Sequence, residues 1–184
     1  MSRAFIEKMD SALFLCSPSF SIRLGAFLLY LKKNGLGARL RAKEERLIEL
    51  VKLLTAVKLF CKDAHYSFYG VNFKPLHEWV DDIAEPIDGF IDEIFENYVV
   101  FMGKKVPRSV EINAGASDYV PTALGENDRI LASLQAILTM AHNKLNEIDV
   151  KEAGINDLLG RIDTHLMKQI ALINMAIVNQ KRED

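Results

Sequence analysis

The sequence is poor in the residues that staple, break or bend a chain. It has two cysteines, Cys16 and Cys61, in 184 residues. Two thiols so far apart make no disulfide framework and no CxxC metal knuckle, and they fit a reducing compartment. Five prolines and ten glycines leave room for long uninterrupted helices. No apolar run approaches the ~18 residues needed to span a bilayer. Ala12–Cys16 is cut by Ser17 and Pro18, and Gly25–Leu31 is bounded by Arg23 and Lys32. Ala12–Cys16 is also short for the apolar part of a cleaved signal. There is no Gly-rich phosphate loop and no G-x-S-x-G turn, which removes two common signatures of nucleotide binding and acyl transfer. No internal repeat or low-complexity segment is present.

What is present is a chain that is 49% hydrophobic and 26% charged, enough for one domain with a buried core and a soluble surface. The net charge of -2 hides an asymmetry. Residues 1–43 hold eight basic residues against Glu7 and Asp10, a net of +6, so residues 44–184 carry -8. A basic arm, 1–43, on an acidic body, 44–184, suggests two jobs or one job and an address label. Within the arm, Phe20, Leu24, Phe27, Leu28 and Leu31 share one helical face. That segment reads as a helix packed on the body or a neighbouring subunit, or as a membrane-surface or targeting helix.

The body reads as four long helices. Glu44 to about Phe68 lacks Gly and Pro, and Leu47, Val51, Leu54, Val57, Leu59 and Cys61 recur at three- and four-residue steps. Gly70 breaks that helix. A second runs from about Pro75, where a first turn tolerates proline, to Met102 before Gly103, with Pro86 expected to kink it. Residues 104–125 contain Pro107, Gly115 and Pro121 and read as a long crossover with one short helix. A third helix, capped by Asn127 or Asp128, runs to about Asp149, burying Ile130, Leu131, Leu134, Ile137, Leu138, Ala141 and Leu145. A fourth runs from about Asn156 to Asn179 on a stripe of Leu158, Leu159, Ile162, Leu166, Ile170, Ile173 and Ile177. An all-α, four-helix bundle with its long connection between helices two and three is the ferritin-like version of that architecture.

Five residues carry the chemistry: His65, His77, Asp81, Asp92 and Glu96. His77 and Asp81 are four apart and share a helical face, as do Asp92 and Glu96. Imidazole and carboxylate together suit iron, zinc or manganese. An antiparallel hairpin brings His65, near the end of the first helix, to His77, near the start of the second. Asp81 and Asp92, however, are 11 residues apart, or ~16 Å along a helix, too far for one site. Neither later helix offers a Glu-x-x-His motif. The two half-sites meet only if second helices of two subunits pack antiparallel about a two-fold axis. Glu78 reads as orienting a ligand, with plain solvation of the helix as the other reading. Asp82, Glu85, Asp88 and Glu93 read as a solvated or cavity-facing surface. Phe60, Phe68, Phe73, Phe90, Phe95 and Phe101 read as core.

The stretch from His65 through Tyr66, Gly70, Phe73, His77, Glu78 and Asp81, followed by Asp92, Glu96 and Gly103, resembles the Dps family, the mini-ferritins. The pattern is a histidine, then His-Glu, Asp, Asp and Glu at steps of 12, 4, 11 and 4 residues, and every step is kept here. The resemblance is strong over residues 47–103, looser to about 180, and does not cover the first ~40 residues. It implies a hollow homo-dodecamer, cytoplasmic and in some members nucleoid-associated. In it, ferrous iron is oxidised mainly by hydrogen peroxide and stored as ferric mineral. His65, His77 and Asp81 would be iron ligands from one subunit, Asp92 and Glu96 from its two-fold mate. It also raises DNA as a partner, through the basic arm, with weak ferroxidation as the alternative role. This sequence departs from the pattern in having Tyr66 for the usual Trp, Asn97 for the usual Arg and Ala171 for the usual Trp. Pro86 is unusual between the half-sites, and the loop before Asp157 is shortened.

Overall fold

The computed structural model describes residues 36–103, 105–122, 125–150 and 152–183, with side chains from 42 to 99 and from 103 to 177 within those ranges. The chain divides into two compact units, Met1–Ala42 and Lys43–Asp184, and the second holds the core. The segment from Phe20 to Leu31 and Cys16 lie outside the described residues, as does the side chain of Phe101.

Among the described residues there are five helices and no strand: α1 Leu36–His65, α2 Phe73–Met102, α3 Ser109–Ser117, α4 Asn127–Asn146 and α5 Ala153–Glu183. α1 begins earlier than the apolar pattern indicated, because nothing between Gly37 and Glu44 breaks a helix. α5 begins at Ala153 and takes Gly154 into its first turn. The short helix expected in the crossover is α3. Gly103 ends α2 in the left-handed region (φ 60°), with its N–H donating to the Val99 carbonyl, a conformation that glycine adopts at little cost.

Long side chains fix the helix directions. α1 and α2 run antiparallel, since Tyr98 donates to Glu44 at one end while His65 meets His77 at the other. α2 and α5 are antiparallel, with Trp79 paired to Gln169 and Glu93 to Arg161. α4 and α5 are antiparallel through Gln135–Asn174 and His142–Asp163. The start of α4 lies beside the α1–α2 turn, where Asn127 exchanges hydrogen bonds with the backbone of Tyr69. α2 and α4 therefore point the same way, and the crossover must run the length of the bundle. That is the up-down-down-up order of the ferritin-like bundle.

The crossover is tied along α1. Ile112 and Ala116 of α3 are buried, and Tyr119 donates to Glu49. Gly115 passes so close to Lys52 that a Cβ would stand 2.9 Å from Lys52 Cδ. α1 is the most enclosed helix, with Leu53 to Val57 all buried. The α4 stripe is buried as expected. On α5, Ile170 and Ile177 are only partly covered. Among the phenylalanines, Phe60 and Phe68 are buried and Phe90 and Phe95 pack at the core edge. Phe73 is a correction: it is 42% exposed, because it opens α2 at the bundle's end, where no helix among the described residues covers it.

Asn127 is a second correction. α4 starts at Asn127 with Glu126 as its N-cap and no side-chain cap hydrogen bond. The Asn127 amide is engaged instead with Tyr69, across the bundle end.

Candidate metal centre

The turn between α1 and α2 builds the site. α1 ends at His65, whose carbonyl has no further helical turn to serve. Gly70 takes φ 81°, which reverses the chain so that α2 can begin at Phe73, its N–H donating to the Gly70 carbonyl. Pro75 lies in the first turn of α2, where its missing N–H would have had no helical acceptor. His77 and Asp81 then project from successive turns toward His65.

The two imidazoles lie with centroids 3.5 Å apart, and Phe73 stands 4.9 Å from His77 on the outer side. His77 Nδ1 is 3.0 Å from the His65 carbonyl. A carbonyl only accepts, so Nδ1 carries the proton and Nε2 keeps its lone pair. This main-chain contact performs the orienting role expected of Glu78. Glu78 itself is exposed and pairs with Lys74 at 3.7 Å, one turn back. The orientation is therefore supplied by the backbone that the hairpin brings over, which no residue identity announces.

His65 Nδ1 stands 2.9 Å from Asp81 Oδ1. The contact lacks hydrogen-bond alignment, and Nδ1 is buried with no hydrogen-bond partner. A buried polar atom left in that state costs about 1–3 kcal/mol, so it calls for an explanation. Coordination supplies one: His65, His77 and Asp81 each offer a ligand atom, all within 4.8 Å of one another. Two imidazoles and a carboxylate form a donor set for iron, manganese or zinc. The side chain of His65 is 13% exposed and that of Asp81 55%, so the cluster is walled on the protein side and open toward solvent. Asp92 and Glu96 lie further along α2, exposed, and do not join this group. The structure thus brings together three of the five expected ligands in one chain.

Two further residues lie nearby, Cys61, which the apolar stripe of the first helix already placed in the core, and Trp79, which sequence reasoning missed. Cys61, one turn before His65, is buried, and burial together with the Asp81 charge pushes its thiol up to about 12. On the opposite side of α2, Trp79 donates to the buried Gln169 at 3.0 Å and lines a groove against α5. Neither residue has a motif; the two-residue step from His77 to Trp79 was the available sign that Trp79 faces away from the histidines. Tyr66 is 72% exposed, edge-on to His65 at 4.9 Å, with Lys62 Nζ over its ring. Asn97 turns back to the Glu93 carbonyl at 2.7 Å. No helix among the described residues is long and apolar enough to cross a membrane.

No family model and no curated protein matches this sequence. Solved structures do. Antigen TpF1 from Treponema pallidum superposes with a TM-score of 0.67 at 19% identity, covering 75% of this chain and 92% of that one. Dps from Thermosynechococcus elongatus gives 0.64 at 16%, covering 76% and 94%. A Dps variant from Listeria innocua gives 0.64 at 21%, covering 73% and 95%. The helix order, the crossover and these superpositions agree: this chain has the ferritin-like fold of the Dps proteins.

Proposed function

We propose that the protein oxidises ferrous iron at a site shared between two copies of the chain, with hydrogen peroxide as the oxidant, and holds the ferric product inside a closed homo-oligomeric shell. The observation that carries this reading is the incomplete cluster of His65, His77 and Asp81, with an orphaned Nδ1 at its centre. A second pair of carboxylates, Asp92 and Glu96, stands exposed ~16 Å along the same helix. Two antiparallel α2 helices would place the carboxylate pair of each copy opposite the histidine cluster of the other, which makes two sites per dimer. Iron is the substrate. Two ferrous ions give one electron each to a peroxide, whose O–O bond breaks to yield water after proton uptake. In this chain, Nε2 of His77 and Nδ1 of His65 bind through nitrogen, Asp81 balances charge, and the His65 carbonyl holds the His77 ring in place.

Subunit mixing tests this reading. His77→Ala or Asp81→Ala removes one half of the site, and Asp92→Ala or Glu96→Ala removes the other. Each homogeneous variant should oxidise ferrous iron slowly. Co-assembly of one variant of each kind leaves one site of the dimer doubly damaged and the other intact, so activity should recover toward half of wild type per mixed dimer. Mixing two variants of the same half should recover nothing. Absence of recovery, with reassembly verified by native mass, would sink the shared site. A native mass of one or two subunits at full activity would sink the shell, for which a dodecamer is the expected form.

A further inference from the structure

α2 carries parts of both half-sites, His77 and Asp81 before Pro86, Asp92 and Glu96 after it. The proline lies inside the helix. It has no N–H, so the Asp82 carbonyl loses its helical donor, and the ring crowds that carbonyl. Prolines are where helices bend. Asp81 and Asp92 each lie ~8 Å from the break, so a swing of ~10° would move either by more than ~1 Å. A misplacement of about 1 Å is enough to disable a site.

Packing does little to stiffen the break. Beside it α2 and α5 leave an open groove of about 470 Å³, with Trp79, Pro86, His165 and Leu172 in its walls. Three side chains of α5 cross to α2 instead. Arg161, His165 and Gln169 stand at four-residue steps and share one helical face. The buried Gln169 accepts from Trp79 Nε1 at 3.0 Å, before the proline. Arg161 pairs with Glu93 at 3.1 Å, after it. Between them His165 Nε2 is 3.1 Å from the Ile83 carbonyl, next to the carbonyl that Pro86 leaves bare. A carbonyl only accepts, so Nε2 carries the proton. Burial lowers the His165 pKa against the raising effect of that carbonyl, and the Lys168 charge lowers it further. The ring is therefore neutral at physiological pH, with its one N–H committed to the α2 backbone. The same ring stands edge-on to Phe90 at 5.8 Å, so it touches α2 on both sides of the proline.

We propose that α5 splints α2, and that His165 is a positioning residue that holds the helix across Pro86 so that the two half-sites keep the separation that pairing with a second copy requires. The proposal rests on the shared-site reading. His165 binds no iron; it acts through the α2 backbone. Gln169 and Arg161 fix the two ends of the braced stretch.

The test uses the full chain and Zn2+, which undergoes no redox turnover. His165→Ala should weaken Zn2+ binding measured by calorimetry about tenfold or more and slow ferrous oxidation alike, with native mass unchanged. His165→Gln, whose amide still donates to the Ile83 carbonyl, should bring binding back to within about threefold of wild type. In an Asp92→Ala/Glu96→Ala protein only the cluster of His65, His77 and Asp81 remains, all on one side of the break. There His165→Ala should change affinity by less than about twofold. Pro86→Ala returns an N–H to the Asp82 carbonyl, and in that background the effect of His165→Ala should also fall below about twofold. An effect of His165→Ala that is the same with and without Pro86, or with and without Asp92 and Glu96, would overturn the splint. Zn2+ binding indifferent to Asp92→Ala/Glu96→Ala alone would overturn the shared site, and the splint's role with it, a pattern distinct from the other two.

Discussion

At His65 one atom holds most of the chemical information. Nδ1 is buried, unbonded, and 2.9 Å from a carboxylate oxygen, an arrangement that a bound metal ion would relieve. Cys61, one turn away, sits on the buried stripe of α1. Burial first, and the Asp81 charge second, raise its pKa to about 12. The thiolate is the reactive form, so its population falls about a thousandfold below that of an ordinary cysteine. In a Cys16→Ser background, native protein should react with a disulfide reagent roughly a thousandfold more slowly than free cysteine and fully only after denaturation. Fast native labelling would show that the end of α1 opens on its own.

The turn that carries the proposed half-site is tied to an element remote from it in sequence. Asn127, at the first position of α4, bonds the backbone of Tyr69 at 3.0 and 3.4 Å, 58 residues away. These exposed bonds pin the α1–α2 turn to the third long helix. Asn127→Ala should cost about 1 kcal/mol, seen as a fall in Tm of about 2–4 °C. It should also weaken metal binding at the half-site, because the turn sets the approach of His65 to His77. An unchanged affinity would show that the turn's own bonds, from the Ser67 and Phe68 N–H groups to Ala64, suffice to hold it.

At the scale of the molecule, two surfaces are unusual. One is the face of α2 that bears the half-site and the Asp92–Glu96 pair. The other lies on α4, where residues 130–143 hold no Asp, Glu, Lys or Arg and Met140 is exposed. An uncharged exposed strip of this kind is characteristic of a contact surface. The positive charge of the chain is concentrated elsewhere, in the first 43 residues. Any DNA affinity is expected to reside there and to fall steeply with added salt, as phosphate-bound counterions are released. Removal of residues 1–35 stops short of α1 and should reduce gel retardation while leaving iron oxidation intact. Retardation unaltered by the deletion would place the DNA contact on the body.

Much of the architecture is set by local rules that a sequence displays openly. Helical periodicity places the buried stripe of α4, Gly103 ends α2, and the absence of breakers makes α1 and α5 long. The spacing of His65, His77 and Asp81 across a single tight turn also brings them together by local geometry alone, since a hairpin leaves them nowhere else to go. What the tertiary structure alone decides are contacts between residues far apart in the chain. The His65 carbonyl, not Glu78, orients His77, because a backbone atom has no residue type to read. Asn127 abandons its cap for Tyr69 because two helix ends happen to meet. Phe73 stays exposed because, among the described residues, no element covers it at the end of the bundle. His165 finds the carbonyl of Ile83, next to the break in hydrogen bonding at Pro86, from 82 residues away. Periodicity reports which face of a helix is buried, but which neighbour it is buried against is a property of the packed whole.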